Sequence, residues 1–174
     1  MGNPAGGPAM NDTRALYDYE IKLLEDVEQF GCHVISVVDP DGNAPPFSYS
    51  VGFSQTFGQG EVIVIGLVPE DGHWVINDLK EKIRFEDFIL ADNLRIPEIL
   101  SECDLMCRSI PAERIVRDYF NSALWFHDQL FKKPLTTAFQ LVWPDPVGFY
   151  PWDDQCDSEL LALQTPLYEP RLNS

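Results

Sequence analysis

"EVIVIGL", Glu61 to Leu67, is apolar at successive positions rather than alternate ones, and Val and Ile dominate it. Neighbouring side chains of a strand point to opposite faces, so a run of this kind is a central strand covered on both sides. Just upstream, "PPFSYSVGFS" (Pro45 to Ser54) has a different pattern. Phe47, Tyr49, Val51 and Phe53 fall on one side, and Ser48, Ser50, Gly52 and Ser54 on the other. This period-two alternation describes a strand with one large aromatic face and one nearly bare face. "CHVISVV" (Cys32 to Val38) precedes it as a β-branched strand, and the "DPDGNAPP" between them is built from turn formers, so the two strands are expected to pair as a hairpin.

Working outward, Leu16, Tyr19, Leu23, Val27 and Phe30 recur at helical spacing behind the N-cap oxygens of Asn11, Asp12 and Thr13, and Gly31 ends the helix. Downstream, Pro69 and Glu70 open a second helix carrying Trp74, Val75, Leu79 and Ile83. Phe85 to Leu100 carries the weakest pattern, with "FILADN" (Phe88 to Asn93) as a short strand. "CDLMCRSI" (Cys103 to Ile110) reads as a strand stopped by Pro111. A third helix is expected from Ala112 to Leu130, then a strand in "TTAFQLVW" (Thr136 to Trp143), then a Pro- and aromatic-rich tail with a helical turn or two at Ser158 to Leu163. No internal repeat or interdomain linker interrupts this order. It predicts one α+β domain over residues 11–174, a mixed and mostly antiparallel sheet of five or six strands with helices mainly on one face. Residues 1–10 are Gly/Pro-rich and expected to be a disordered extension, with Met10 as an alternative start.

The 174 residues suit one domain with a sizeable core. Charge is the unusual quantity: 28 acidic residues against 12 basic give a net charge of −16. Phosphate binding rests on clustered Lys and Arg, and Lys132-Lys133 is the only adjacent basic pair, so neither nucleic acid nor an anionic membrane is expected as a partner. Two readings of the acidity stand: solubility through self-repulsion, or a basic protein partner met by electrostatic steering. Cys32, Cys103, Cys107 and Cys156 form no C-x-x-C, and no Cys/His cluster has zinc-finger spacing. Buried thiols in a reducing cytoplasm, without a disulfide or a metal, are the expectation. The N-terminus has no basic region followed by an apolar run, and the longest apolar run, Val62 to Val68, is far below membrane-spanning length. A cytoplasmic location is expected.

Four motifs in order resemble a known family. Phe47, Tyr49, Ser50, Val51 and Gly52 match F-x-Y-[ST]-V-G. Asn77, Asp78 and Leu79 match an Asn-Asp-Leu helix. Gln140, Val142, Trp143, Pro144 and Asp145 match Q-x-V-W-P-D, and Pro151, Trp152 and Asp153 match a closing Pro-Trp-Asp. From about Leu24 to Leu167 the chain resembles the bacterial family catalogued as domain of unknown function 4262. Tyr150 stands where that family more often has Phe. The resemblance carries over no established activity and points to no particular cofactor.

Three groups of residues are candidates for chemistry. On the bare strand face, Ser48, Ser50 and Gly52 would leave room and hydroxyls for a ligand; the structural alternative is a closely packed helix. In the segment from Trp143 to Asp154, Asp145, Asp153 and Asp154 could hold a cation or act as acid and base, and Trp143, Tyr150 and Trp152 could stack on a planar group. The structural alternative is that Trp-Pro-Asp and Pro-Trp-Asp are turns whose Asp side chains cap backbone N–H groups. The third group is the histidines with a thiol, of which only a pair assembled in space, such as Cys107 with His127, would be a candidate. Two functions follow. One is a non-catalytic binding protein with an acidic surface for a basic protein partner, in the manner of an immunity or antitoxin protein. The other is a small-molecule-binding domain or enzyme with a pocket between the Ser48/Ser50/Gly52 strand face and the Trp143–Asp154 turn, Ser48, Ser50 and Gly52 facing a concavity whose wall includes Trp152 or Asp153.

Overall fold

The computed structural model describes residues 6–101 and 103–169, and of residues 6–17 the backbone alone. β1 (His33–Val37) and β2 (Phe47–Val51) form the expected antiparallel hairpin, with Ser48 opposite Ser36 and Tyr49 opposite Ile35. β2 pairs antiparallel with β3 (Glu61–Ile65), every residue of which is buried, as its unbroken apolar run requires. β3 lies parallel to β6 (Ala138–Val142), and β6 pairs antiparallel with β5 (Cys103–Ser109), which pairs antiparallel with β4 (Leu94–Leu100). The six strands run β1-β2-β3-β6-β5-β4 with a single parallel pair, the mixed, mostly antiparallel sheet of an α+β domain.

Register assigns every side chain to a layer. Ser48, Val64, Leu141 and Cys107 line up on one face, and Tyr49, Ile63, Gln140 and Arg108 on the other. α3 (Pro69–Glu86) covers the first with Val75, Ile76, Leu79 and Ile83, packed into one core with Val62, Val64 and Leu141. α1 (Gly6–Phe30) and α4 (Arg117–Phe131) cover the second, where Leu23, Val27, Phe120, Ala123 and Phe126 pack with Tyr49, Val51, Ile63 and Ile65. Two of the three long helices thus share a face. The third is required because β3 and β6 are apolar on both sides, and leaving either side wet would forfeit the burial that drives folding. Val62, Val64 and Leu141 are fully buried, and Trp143 is half-buried.

Several local readings are corrected. α1 starts at Gly6, so Asn11 to Thr13 lie within the helix and do not cap it; residues 1–5 of the expected extension lie outside the described residues. The alternation of the aromatic strand ends at Val51. Gly52 turns left-handed (φ +112), α2 (Phe53–Phe57) follows at once, and Phe53 packs with Val62 and Val64 on the opposite side from Tyr49. "FILADN" is a loop, and the strand is the next stretch, "LRIPEIL". Pro97 and the positive φ of Glu98 make a bulge there, with the register shifting between Ile96 and Leu100, which an edge strand tolerates. The third helix is broken: Ala112–Arg114 is a 3-10 turn, Ile115 leaves the helical region, and α4 begins at Arg117. α4 is itself kinked at Phe120 (φ −135, ψ 30), where the Tyr49 hydroxyl accepts the Ser122 N–H at 3.0 Å in place of a helical carbonyl. α5 (Ser158–Leu163) stands where expected, its Glu159 N–H capped by the Asp157 carboxylate. Among the described residues no helix is long and apolar enough to cross a membrane.

Candidate functional site

The bare strand face is closed by a helix and a carboxylate. α3 lays Gly72 against β2, so near that a Cβ at Gly72 would sit 2.4 Å from Ser48 Oγ. Ser48 itself shares a 2.8 Å hydrogen bond with Ser36 Oγ. Ser50 Oγ donates to Glu61 Oε1 at 2.7 Å and accepts the Val62 N–H at 2.9 Å. Both serines are buried.

Glu61, at the first position of the central strand, is 1% exposed. Oε1 accepts from Ser50 Oγ and the Phe53 N–H, and Oε2 from the Gly52 N–H, the Ser54 N–H and Ser54 Oγ, at 2.7–3.3 Å. The left-handed turn at Gly52 makes this convergence possible, because it swings three successive N–H groups onto one anion. Burial pushes the Glu61 carboxyl above its ordinary range, and these donors pull against that. A Cβ at Gly52 would lie 2.8 Å from Val27, so this glycine is enclosed as well as strained for any other residue.

The Trp143–Asp154 segment spends its polar groups on its own turns. Asp145 Oδ1 accepts the N–H groups of Val147, Gly148 and Phe149 at 2.9–3.0 Å, and Oδ2 accepts the Asp157 N–H at 3.2 Å. Led by the bond from Phe149, and against the effect of burial, these hold its carboxyl below the usual range. Asp153 Oδ2 takes the Tyr150 N–H at 2.8 Å. Trp143 donates Nε1–H to the Ile65 carbonyl, and its backbone N–H and C=O are both bound by the Gln164 amide. Trp152 stacks on Tyr150, with ring centres 5.2 Å apart, and covers the Arg108 guanidinium at 5.1 Å.

Trp143 packs on the α3 side of the sheet, but the serine face and Trp152 do not meet. Ser48 and Ser50 lie under α3 on β2, whereas Trp152 sits on the Tyr49 side of the sheet beyond β6, held there by Arg108 of β5. The expected concavity between the Ser48/Ser50/Gly52 face and the Trp152–Asp153 turn is replaced by two separate structural devices. Cys107 is fully buried in the core under α3, and His127 lies on α4 across the sheet, so they make no pair. No disulfide joins the four cysteines, and among the described residues no three His, Cys, Asp or Glu side chains converge as a metal would need.

Sequence reasoning gave no role to Glu61 or Arg108, and named Gln140 only as a motif residue. Gln140 is fully buried and clamps the C-terminal segment, donating Nε2–H to the Thr165 carbonyl and accepting the Leu167 N–H. Arg108 bonds Asp92 and the Glu169 carbonyl. For Glu61 and Gln140 a signal was present: a charged or amide side chain inside a strand otherwise apolar on both faces needs a buried partner.

What stays exposed is acidic. No Lys or Arg occurs between Lys133 and Arg171, and Asp154, Asp157 and Glu159 are exposed on the last turns and the start of α5. Burial first, then the charges of Asp145, Asp153 and Asp157, push the nearby Cys156 thiol upward. Elsewhere six of the described basic side chains (Lys22, Lys82, Arg84, Arg95, Arg108 and Arg114) already face Asp or Glu partners. The family model for a domain of unknown function, DUF4262, matches residues 26–157. The chain belongs to the DUF4262 family. The resemblance read from its motifs is borne out. The DUF4262 match spans the Glu61 nest and the Trp143–Asp154 turns and stops at the residue capping α5. No curated protein and no solved structure matches the chain.

Proposed function

We propose that this DUF4262 protein is a non-catalytic binding protein of the bacterial cytoplasm that presents an acidic surface to a basic protein partner, as immunity and antitoxin proteins do. The supporting observation is the uncompensated charge around Asp154, Asp157 and Glu159, in a stretch without a cation, on a chain of net charge −16. Such a field accelerates encounter with a positive surface and selects against acidic competitors. Ser48, Ser50, Asp145 and Asp153, which first suggested chemistry, are engaged within the fold, whereas Asp154 is exposed and adds to this outer surface.

Affinity capture from the native host tests the reading, using the wild-type chain beside an Asp154→Lys/Glu159→Gln variant that keeps the Asp157 cap of α5. The expected partner is basic, its association rate falls steeply with added salt, and the charge-altered variant is captured about tenfold or more weakly at low ionic strength. A partner without a basic face, or one held equally well by that variant, would overturn it.

A further inference from the structure

β3 and β6 are the one parallel pair, so the loops that enter them arrive side by side at the same end of the sheet. There the 58–60 loop, the 133–137 loop, the end of α4 and the 88–90 loop enclose a cleft of about 440 Å³, within the range that small organic ligands occupy. Its walls differ in kind. Ile89, Phe131 and Leu135 form an apolar wall, and Ile89 is 75% exposed although its loop is fixed on either side. The fixing comes from Gln59, which donates Nε2–H to the Phe88 carbonyl and accepts the Leu90 N–H. Lys133, His127 and Thr137 also line it, His127 beside Phe131.

The charge of this cleft is the reverse of the molecule's. No Asp or Glu is among the residues that line it, on a chain with 28 of them. Among the described residues Lys133 forms no ion pair, unlike the six basic side chains already matched with carboxylates. His127 Nδ1 lies 3.0 Å from the Lys133 carbonyl, and a carbonyl only accepts, so Nδ1 carries the proton. That leaves Nε2 as an acceptor, and the ring lies against Phe131 with centres 4.6 Å apart, adding to its flat surface. A lysine and a threonine hydroxyl beside apolar and aromatic side chains are complementary to a molecule with one anionic end and one flat apolar end.

We propose that this cleft binds a small organic monoanion, a carboxylate on an aromatic or compact apolar body, with the carboxylate at Lys133 and the Thr137 hydroxyl and the body on Ile89, Phe131 and Leu135. The net charge of −16 opposes a polyanion, which a single uncompensated lysine would not offset. The site is separate from the acidic surface, and neither proposal depends on the other.

Titration of the full chain with 1-naphthoate, followed by amide shifts in NMR and by calorimetry, tests it, with 1-naphthylmethanol as the uncharged counterpart. Naphthoate is expected to shift the 58–60 and 133–137 amides saturably and to bind at least about fivefold more tightly than the alcohol. Lys133→Glu should weaken naphthoate by about tenfold or more. Lys132→Glu changes the net charge identically but does not line the cleft, and should have a much smaller effect. Ile89→Ser should weaken acid and alcohol alike. All three positions are exposed, so the fold is kept. Absence of saturable shifts in those loops, equal binding of acid and alcohol, or equal damage from Lys132→Glu and Lys133→Glu would each overturn the proposal.

Discussion

At Glu61 two oxygens accept five hydrogen bonds, three of them from backbone N–H groups that have nowhere else to turn. Glu61→Gln replaces one oxygen by an NH2. Turned one way, the amide faces the Phe53 N–H; turned the other, it faces those of Gly52 and Ser54. Either way a buried donor meets a donor. The expected cost is about 1–3 kcal/mol in urea unfolding, and a variant as stable as wild type would show that the nest is not what holds α2. Asp26 is a surface counterpart, taking Lys22 Nζ at 2.6 Å and sharing a 2.7 Å hydrogen bond with His33 Nδ1, so that it ties α1 to β1. Burial raises its carboxyl, but the bonds and charges of Lys22 and His33 outweigh that and hold it below the ordinary 3.8. A depressed carboxyl contributes stability above its unfolded value and loses it as pH falls through the folded one. Asp26→Asn should therefore be less stable than wild type near neutrality, by about 1 kcal/mol or less, and the gap should close well below pH 3.8. A gap that persists in acid would mean that shape, not charge, makes the contact.

Between elements, the closest approach is Gly72 of α3 on Ser48 of β2. A methyl at Gly72 would press on Ser48 Oγ at 2.4 Å and Cβ at 2.8 Å. Gly72→Ala gains about 1 kcal/mol of helix propensity and meets an overpacking cost of about 1–3 kcal/mol, so a net loss is expected. Ser48→Gly removes both clashing atoms, and the double variant should recover much of what Gly72→Ala loses; additive effects in a double-mutant cycle would refute the contact. This pair also shows why the layers were legible and the site was not. The alternation from Phe47 to Val51 exposes the period of the strand, and the unbroken run in β3 exposes its central place. What lies on the small face depends on a glycine in a later helix, and one sequence does not say which strand that helix will cross. A glycine inside a helical pattern was nonetheless a hint of close approach. β4 was hidden by Pro97, which ordinarily argues against a strand and here sits at an edge bulge. The five residues of α2 are too few to show a helical period. The kink in α4 is imposed by Tyr49 from another element.

For the molecule as a whole, the Ser50/Gly52 and Trp143–Asp153 motifs recur as two structural supports, one beneath α2 and the other latching the C-terminal segment to β5 and β6. Carboxylates in Trp-Pro-Asp and Pro-Trp-Asp were readable as turn caps, while the side of the sheet on which Trp152 lands was not, because Arg108 decides it from a strand more than forty residues away. Net charge is legible from composition alone, and both of its readings, solubility and a basic partner, carry self-repulsion in the folded chain. With 28 acidic residues against 12 basic, and the described bridges involving only part of the carboxylates, repulsion exceeds attraction over the surface. Raising ionic strength from about 0.01 M to 0.15 M shortens the screening length from about 30 Å to 8 Å. That weakens repulsion spread over the whole surface more than bridges between neighbouring atoms, so the melting temperature should rise, by about 2–4 °C for each kcal/mol relieved. An Asp154→Lys/Glu159→Gln variant, which keeps the Asp157 cap of α5, should start higher at low salt and respond less. If both hold, the acidity costs the folded chain stability, and a partner is then marked by the same substitutions lowering capture while raising stability. A melting temperature that falls with salt would show instead that the bridges dominate over the repulsion.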